Sequence, residues 1–311
     1  MTILMYDNIF LKHDTGHGHP ENAKRLENTV KHLKATGLWD QLRVEKSRAA
    51  SLEEIGLIHT ENYIQAIKHI ANTGGGQLDS DTIISAASYD AAVHAVGAPL
   101  AAIDFIMKGE EKNAFCLIRP PGHHATPARG MGFCLFNNVA VAAKYIQSKY
   151  KLERIFIIDW DVHHGNGTQD AFFNDPTILY FSMHRYPFYP GSGRKEESGW
   201  DKGEGFTINV PVPANIPSQR YIELFTDVIK QNADQFIPEF IIISAGFDTY
   251  KKDPIGGLNL DREDFRILTE IVIRTAQKYC NGRLVSCLEG GYNFSDLPLC
   301  IEAHLKALLQ G

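Results

Sequence analysis

Apolar residues fall in short continuous runs along the chain, and most runs end in polar or glycine-rich residues. Runs near 2–6, 114–118, 154–158, 177–181, 206–210, 239–244 and 283–288 predict strands. Several are apolar throughout, as in Phe240-Ile241-Ile242-Ile243, the pattern of strands covered on both faces. Between the runs the period changes. Tyr221, Phe225 and Val228 recur at i, i+4, i+7, and Phe265, Leu268 and Val272 at i, i+3, i+7, which predicts helices. Leu26, Val30 and Leu33 mark an earlier helix after His19-Pro20. The Ala-rich segment 86–107 predicts another, with Gly74-Gly75-Gly76 in a loop before it. The chain shows no internal repeat, low-complexity segment or linker. Alternation of this kind predicts an α/β fold: a single domain over 1–311 with a central, mainly parallel sheet flanked by helices.

The stretch 182–205 lacks periodicity and is rich in Gly and Pro. Loops of that length in a compact domain are usually functional or disordered, and Tyr186, Phe188 and Tyr189 predict an ordered, pocket-forming one. Irregular stretches 119–136 and 245–261 also follow strands. Open α/β sheets bind ligands beyond the carboxyl ends of their strands, where the chain's most reactive residues fall.

Composition narrows the function classes. The chain has 311 residues, 44% hydrophobic, with a formal net charge of −6. Nothing in that balance predicts direct nucleic-acid binding through a basic face. The N-terminus shows no signal-peptide pattern, and no apolar run approaches bilayer length, so no membrane partner is expected. Cys116, Cys134, Cys280, Cys287 and Cys300 form no Cys-x-x-Cys pair. They predict reduced packing thiols in a cytoplasmic protein.

The candidate chemistry begins at Asp159-Trp160-Asp161-Val162-His163-His164-Gly165-Asn166-Gly167, directly after the apolar run Ile155-Phe156-Ile157-Ile158. Carboxylate oxygen and imidazole nitrogen suit Zn²⁺. In an extended chain i and i+2 point to one side, so Asp161 and His163 can grip one ion. Asp248, after the run ending Ser244-Ala245-Gly246-Phe247, is the candidate third ligand. Two carboxylates and one imidazole would leave a position open for water; the alternative is that Asp248 caps a turn. Arg119-Pro120-Pro121-Gly122-His123-His124 follows another run, and its prolines stiffen the turn that carries the histidines. An imidazole can take a proton from attacking water and an imidazolium can protonate a leaving amine; a plain surface loop is the alternative. Asp159 and Asn166 are candidate partners for the two rings. In Glu289-Gly290-Gly291-Tyr292 the phenol can donate a hydrogen bond to a developing oxyanion, or simply pack. Gly132-Phe133 and Phe188-Tyr189 can wall a slot for a slim alkyl chain, or only pack loops.

Taken in order, these four motifs resemble the zinc-dependent histone deacetylase family of the arginase–deacetylase superfamily. The resemblance runs from His19-Pro20-Glu21 and Arg25 to Tyr292. Residues 159–169 look most like the class II branch, which includes bacterial acetoin-utilisation and amidohydrolase relatives. The resemblance implies an arginase/deacetylase-like fold, with Zn²⁺ (or Fe²⁺) on Asp161, His163 and Asp248. It implies His123 and His124 as general acid/base residues, Asp159 behind His123, and Tyr292 polarising the scissile carbonyl. Gly132, Phe133, Phe188 and Tyr189 would line an acyl-lysine tunnel, and Arg25 an internal channel. Structural K⁺ would lie near Asp159, Asp161, His163, Ser182 and Met183, with a second K⁺ near Phe172, Asp175 and Ile178. Asp79 and Asp81 fall in a loop that would anchor substrate backbone.

Three positions mark the branch. Tyr189 stands where the family often has Phe. Ile255, after Asp253-Pro254, stands where polyamine-selective relatives carry Glu. Tyr292 stands where poorly active class II members have His. The expected substrate is an acylated lysine in a peptide or protein, with a small acylated amine such as an acetylpolyamine as the alternative; oligomeric state is left open. A non-catalytic acyl-lysine-binding module could dispense with the histidine pair or the tyrosine. A two-metal ureohydrolase would need more ligands after Asp248, where Thr249-Tyr250-Lys251-Lys252 follows.

Overall fold

All 311 residues are described in the structure, a computed structural model. The strands are β1 (Ile3–Met5), β2 (Arg43–Glu45), β3 (Gly75–Gln77), β4 (Ile83–Ser85), β5 (Asn113–Cys116), β6 (Ile155–Asp159), β7 (Ile178–Arg185), β8 (Thr207–Val212), β9 (Phe240–Ala245) and β10 (Leu284–Leu288). Eight of them form one sheet in the order β2-β1-β5-β10-β9-β6-β7-β8, with every pairing parallel. Parallel strands need crossover connections, and helices on both faces then bury the sheet. The apolar runs therefore become strands such as β5, β6, β9 and β10 in which every residue is buried.

The helices are α1 (Lys24–Ala35), α2 (Leu52–Ile55), α3 (Glu61–Asn72), α4 (Ser88–Met107), α5 (Asn138–Tyr145), α6 (Asn166–Phe172), α7 (Ser218–Phe236), α8 (Arg262–Tyr279) and α9 (Leu297–Gln310). The periodic apolar residues face the core. In α8 these are Phe265, Leu268 and Val272, and Asp261 closes its N-terminus in a reciprocal capping box with Asp264. In α7 the fully buried row runs Tyr221, Phe225, Ile229, and Val228 packs half-buried against the edge of the core. One contiguous apolar core reaches from Ile3 to Leu308.

Several expectations are corrected. Gly74-Gly75-Gly76 is not simply a loop: Gly75 and Gly76 lie in β3, which pairs antiparallel with β4. The irregular stretch expected from 182 begins only after Arg185, because β7 continues to pair with β8 as far as Arg185↔Val212. Helices α3, α5, α6 and α9 and the edge strand β2 escaped the periodicity reading; α5 and α9 are mostly buried and so carry little amphipathic contrast. Finally, α4 is long and apolar enough to cross a membrane by length and composition, contrary to the sequence expectation. Two thirds of its apolar window (67%) is buried inside the protein, which makes it a core helix here.

Candidate metal centre and active site

The strand register decides which motifs meet. β5, β10, β9, β6 and β7 are neighbours in that order, and their carboxyl ends are level: Cys287 pairs with Cys116, Leu288 with Ala245, and Asp159 with both Ser244 and Ser182. The residues that follow these strands therefore share one rim.

Asp161, His163 and Asp248 converge there, all buried, with their ligand atoms within 4.8 Å of one another. His163 Nδ1 lies 3.0 Å from Asp161 Oδ1 and 3.2 Å from Asp248 Oδ2. One ring N–H cannot serve both carboxylates, and Asp248 Oδ2 is left buried without a hydrogen bond. An orphaned carboxylate oxygen is costly. The electrostatics agree. Burial disfavours the His163 imidazolium, yet Asp161 and Asp248 outweigh it and raise its pKa to about 9. Burial, then the Asp161 charge, pushes Asp248 up to about 7. Both shifts describe a place that calls for positive charge, and the O, N, O donor set fits a divalent cation.

The tandem histidines stand beside this cluster with ring centroids 4.0 Å apart. His123 Nδ1–H donates to Asp159 Oδ2 at 3.0 Å, and His124 Nδ1–H to Asn166 Oδ1 at 2.8 Å. Their environments push them apart. For His123, burial is outweighed by the Asp159 and Asp161 charges, which raise its pKa to about 10. For His124, burial and the positive charge of His123 and His163 drive the pKa well below its usual value. The pair thus offers one cationic and one neutral imidazole.

Tyr292 arrives after β10 and is almost fully buried. Its ring meets Phe133 edge-on at 5.8 Å, and its hydroxyl bonds to no protein group. The expected walls gather at the same place. Phe188 stacks on His163 (5.2 Å, 13°), while Tyr189 meets His124 edge-on at 5.2 Å. Gly132 has φ +55° and lies so close to His124 that a Cβ would meet the ring at 2.4 Å. Phe133 also holds a positive φ of 69°, rare for a bulky residue. Its backbone N–H is tied to Thr82 Oγ1 at 3.0 Å. Thr82 closes the turn in which Asp79 Oδ1 accepts the Asp81 and Thr82 N–H groups, so both acids lie next to the Phe133 wall. A cleft of about 640 Å³ bordered by His19, Pro254, Tyr292 and Phe294 opens alongside.

The remaining predicted residues are placed less directly. Ser182 Oγ bonds to His184 Nδ1 at 2.8 Å, and the Met183 carbonyl accepts from the Tyr221 hydroxyl. Phe172, Asp175 and Ile178 share one turn, where the Asp175 carboxylate is held by Lys144 at 2.6 Å. Ile255 is half-buried on the turn after Asp253. Arg25 is fully buried beneath Tyr292, with its guanidinium carbon 4.9 Å from the ring centroid.

Sequence reasoning missed the frame behind these groups. Glu21 takes Arg119 through both carboxylate oxygens and Arg25 through one. Arg25 in turn donates to the Gly291 and Glu289 carbonyls. Glu289 Oε2 accepts the N–H groups of Gly122 and His123, and Tyr180 places its hydroxyl 3.1 Å from Asp159 Oδ2. Burial pushes the Glu289 carboxyl up to about 7, against the pull of His123 and Gly122. The available signal was a charged residue at the end of a buried strand, as at Arg119 and Glu289.

Comparison with known proteins identifies the family. The histone deacetylase domain matches residues 19–308. A probable deacetylase of Archaeoglobus fulgidus is 40% identical over 295 residues, covering 94% of this chain and 82% of that protein. A histone deacetylase-like amidohydrolase of Pseudomonas aeruginosa is 36% identical over 290 residues, covering 93% and 76%. The crystal structure of the HDA15 HD domain superposes with a TM-score of 0.94 at 35% identity, covering 100% of this chain and 91% of that one.

Proposed function

Because this chain belongs to the histone deacetylase family and is a hydrolase of amide bonds, we propose that it removes acetyl or other acyl groups from the side-chain amine of acylated lysine, using zinc. The observation that carries this reading is the buried Asp161–His163–Asp248 cluster beside two histidines of opposed basicity and one unbonded phenol. A Zn²⁺ held by those three residues, with Fe²⁺ the alternative occupant, supplies Lewis acidity and makes a water more acidic. His124 is the base: its Nδ1–H is committed to Asn166, which leaves Nε2 a free lone pair. His123, held cationic by Asp159, supplies positive charge to the developing oxyanion and is the source of the proton for the leaving amine. Tyr292 donates its free O–H to the same oxyanion. Gly132, Phe133, Phe188 and Tyr189 exclude water and guide the acyl-lysine chain, with Asp79 and Asp81 at the substrate backbone.

K⁺ near Asp159, Asp161, His163, Ser182 and Met183, and near Phe172, Asp175 and Ile178, is a structural part of this proposal. So is a cytoplasmic location, which the five buried free thiols favour. An acetylpolyamine is the second substrate reading; Ile255 offers no charge to a secondary ammonium, which favours lysine.

The test is acetate release from a panel of acyl-lysine peptides and acetylpolyamines by purified, metal-quantified protein. Tyr292→Phe is expected to keep its metal and lose about 10²–10³ in kcat. Binding of acetyl-lysine peptides by metal-loaded protein with no acetate released would instead indicate a binding module.

A further inference from the structure

Asp253 is given no role in the readings above, yet it holds the backbone of Tyr292. Its Oδ2 accepts the Tyr292 N–H at 2.7 Å, while Oδ1 accepts the N–H groups of Ile255 at 2.9 Å and Gly256 at 3.1 Å. Bonds to an ionised acceptor are roughly twice as strong as neutral ones. The Tyr292 phenol needs an anchor of this kind. Its hydroxyl bonds to no protein group, and the preceding Gly291 has φ +121°, a conformation that imposes little restraint of its own. The Gly291 carbonyl is fixed from the other side by Arg25 Nε–H at 2.7 Å. Asp253 and Arg25 thus grip successive backbone groups that set where the ring points.

The turn also reaches the opposite wall of the site. The Gly256 carbonyl accepts from Arg185 Nη1 at 3.1 Å, the Arg185 guanidinium lies 4.1 Å over the Phe188 ring, and Phe188 stacks on His163. One short turn therefore spans from the phenol to the ring that covers a metal ligand.

We propose that Asp253 is a positioning residue for the reaction, acting through the Tyr292 backbone to hold the phenol at the place where the oxyanion forms. This rests on the Tyr292 reading above.

Asp253→Asn separates positioning from turn formation. The amide oxygen still accepts from Ile255 and Gly256, but an NH₂ group now faces the Tyr292 N–H, donor against donor. Misplacing a reacting group by about 1 Å can cost on the order of 10²-fold, so kcat on an acetyl-lysine peptide should fall about 10- to 100-fold. KM, metal content and Tm should change little, and amide hydrogen exchange over 290–293 should speed up. Asp253→Ser is the second variant: its hydroxyl can serve the turn but is too short to reach Tyr292, and it should lose kcat in the same way.

The decisive measurement is the double variant. If Asp253 acts through the phenol, Asp253→Asn in a Tyr292→Phe background should add no further loss. A further loss equal to that in the wild-type background, or Asp253→Asn turning over at the wild-type rate beside a slow Tyr292→Phe enzyme, overturns the proposal alone. A Tyr292→Phe enzyme at the wild-type rate removes the tyrosine from the mechanism and this role with it.

Discussion

Gly290→Ala tests the metal centre without removing any of its ligands. Gly290 sits against the two carboxylates: its N–H donates to Asp161 Oδ2 at 2.8 Å. A Cβ added there would stand 2.1 Å from Asp248 Oδ2 and 2.6 Å from Asp161 Oδ2. Real Cβ atoms essentially never approach another heavy atom closer than 3.0 Å, so Asp248 must retreat by about 0.9 Å and Asp161 by about 0.4 Å. Metal sites tolerate ligand displacements of only about 0.2 Å. Gly290 is not at a positive φ, so alanine brings crowding rather than backbone strain. Disturbing even the partners of metal ligands typically costs 10- to 100-fold in affinity. Moving two ligands should reach at least the upper end, about 2.8 kcal/mol by the factor of 1.4 kcal/mol per decade. The assay is competition with a chromophoric chelator, read as the metal dissociation constant, alongside acetate release at increasing free metal. Affinity should fall about 100-fold and activity should recover partly as metal is added. Wild-type affinity in this variant would mean that the three side chains do not hold the ion.

Other expectations follow from the same geometry. Glu21→Gln leaves Arg119 and Arg25 buried with their shared counter-charge gone; breaking such a group should cost about 3–5 kcal/mol in urea unfolding, and a loss below about 1 kcal/mol would show the pair is not a structural keystone. Burial lowers the pKa of His13, His59 and His184 to about 4 and of His304 to about 3. Their unfolded values are higher, near 6.5, so at these four sites the unfolded chain binds more protons and their contribution to stability falls as pH drops from about 6.5 towards 4, partly offset by Asp248 and Glu289, whose folded values are raised to about 7. His304→Gln should flatten that fall by up to about 1.4 kcal/mol per pH unit, measured as urea midpoints of metal-free protein; an unchanged slope would rule His304 out as a contributor. Asn166→Asp places a carboxylate on His124 and raises its basicity, so the acid limb of kcat/KM should move to higher pH. A limb that stays put would mean another group is the base.

Much of the fold was legible in the chain because buried parallel strands are apolar throughout, and that pattern is local. The positions of Asp161, His163, Asp248, His123, His124 and Tyr292 at strand ends were legible for the same reason. The closeness of Asp161 and His163 was local too, but not for the reason expected: β6 ends at Asp159 and the pair lies on a bend in which Asp161 Oδ1 accepts the His163 N–H at 2.9 Å, not on extended backbone. Other features lay beyond a local reading. Helices α5 and α9 are buried on most sides and show little polar contrast. Glu21, Arg119, Glu289 and Asp253 act through partners distant in the chain, such as the Gly122 N–H for Glu289, 167 residues away. The grouping of the motifs was likewise decided only in three dimensions. β10 is inserted between β5 and β9, and β9 lies beside β6, an order unlike that of the chain. Each crossover helix leaves its next strand free to join the sheet at more than one place, and only packing of the two buried faces selects among them. Local hydrophobicity therefore marks each strand and the reactive residue beyond it, whereas the sheet order, a property of the whole core, sets which of those residues stand together.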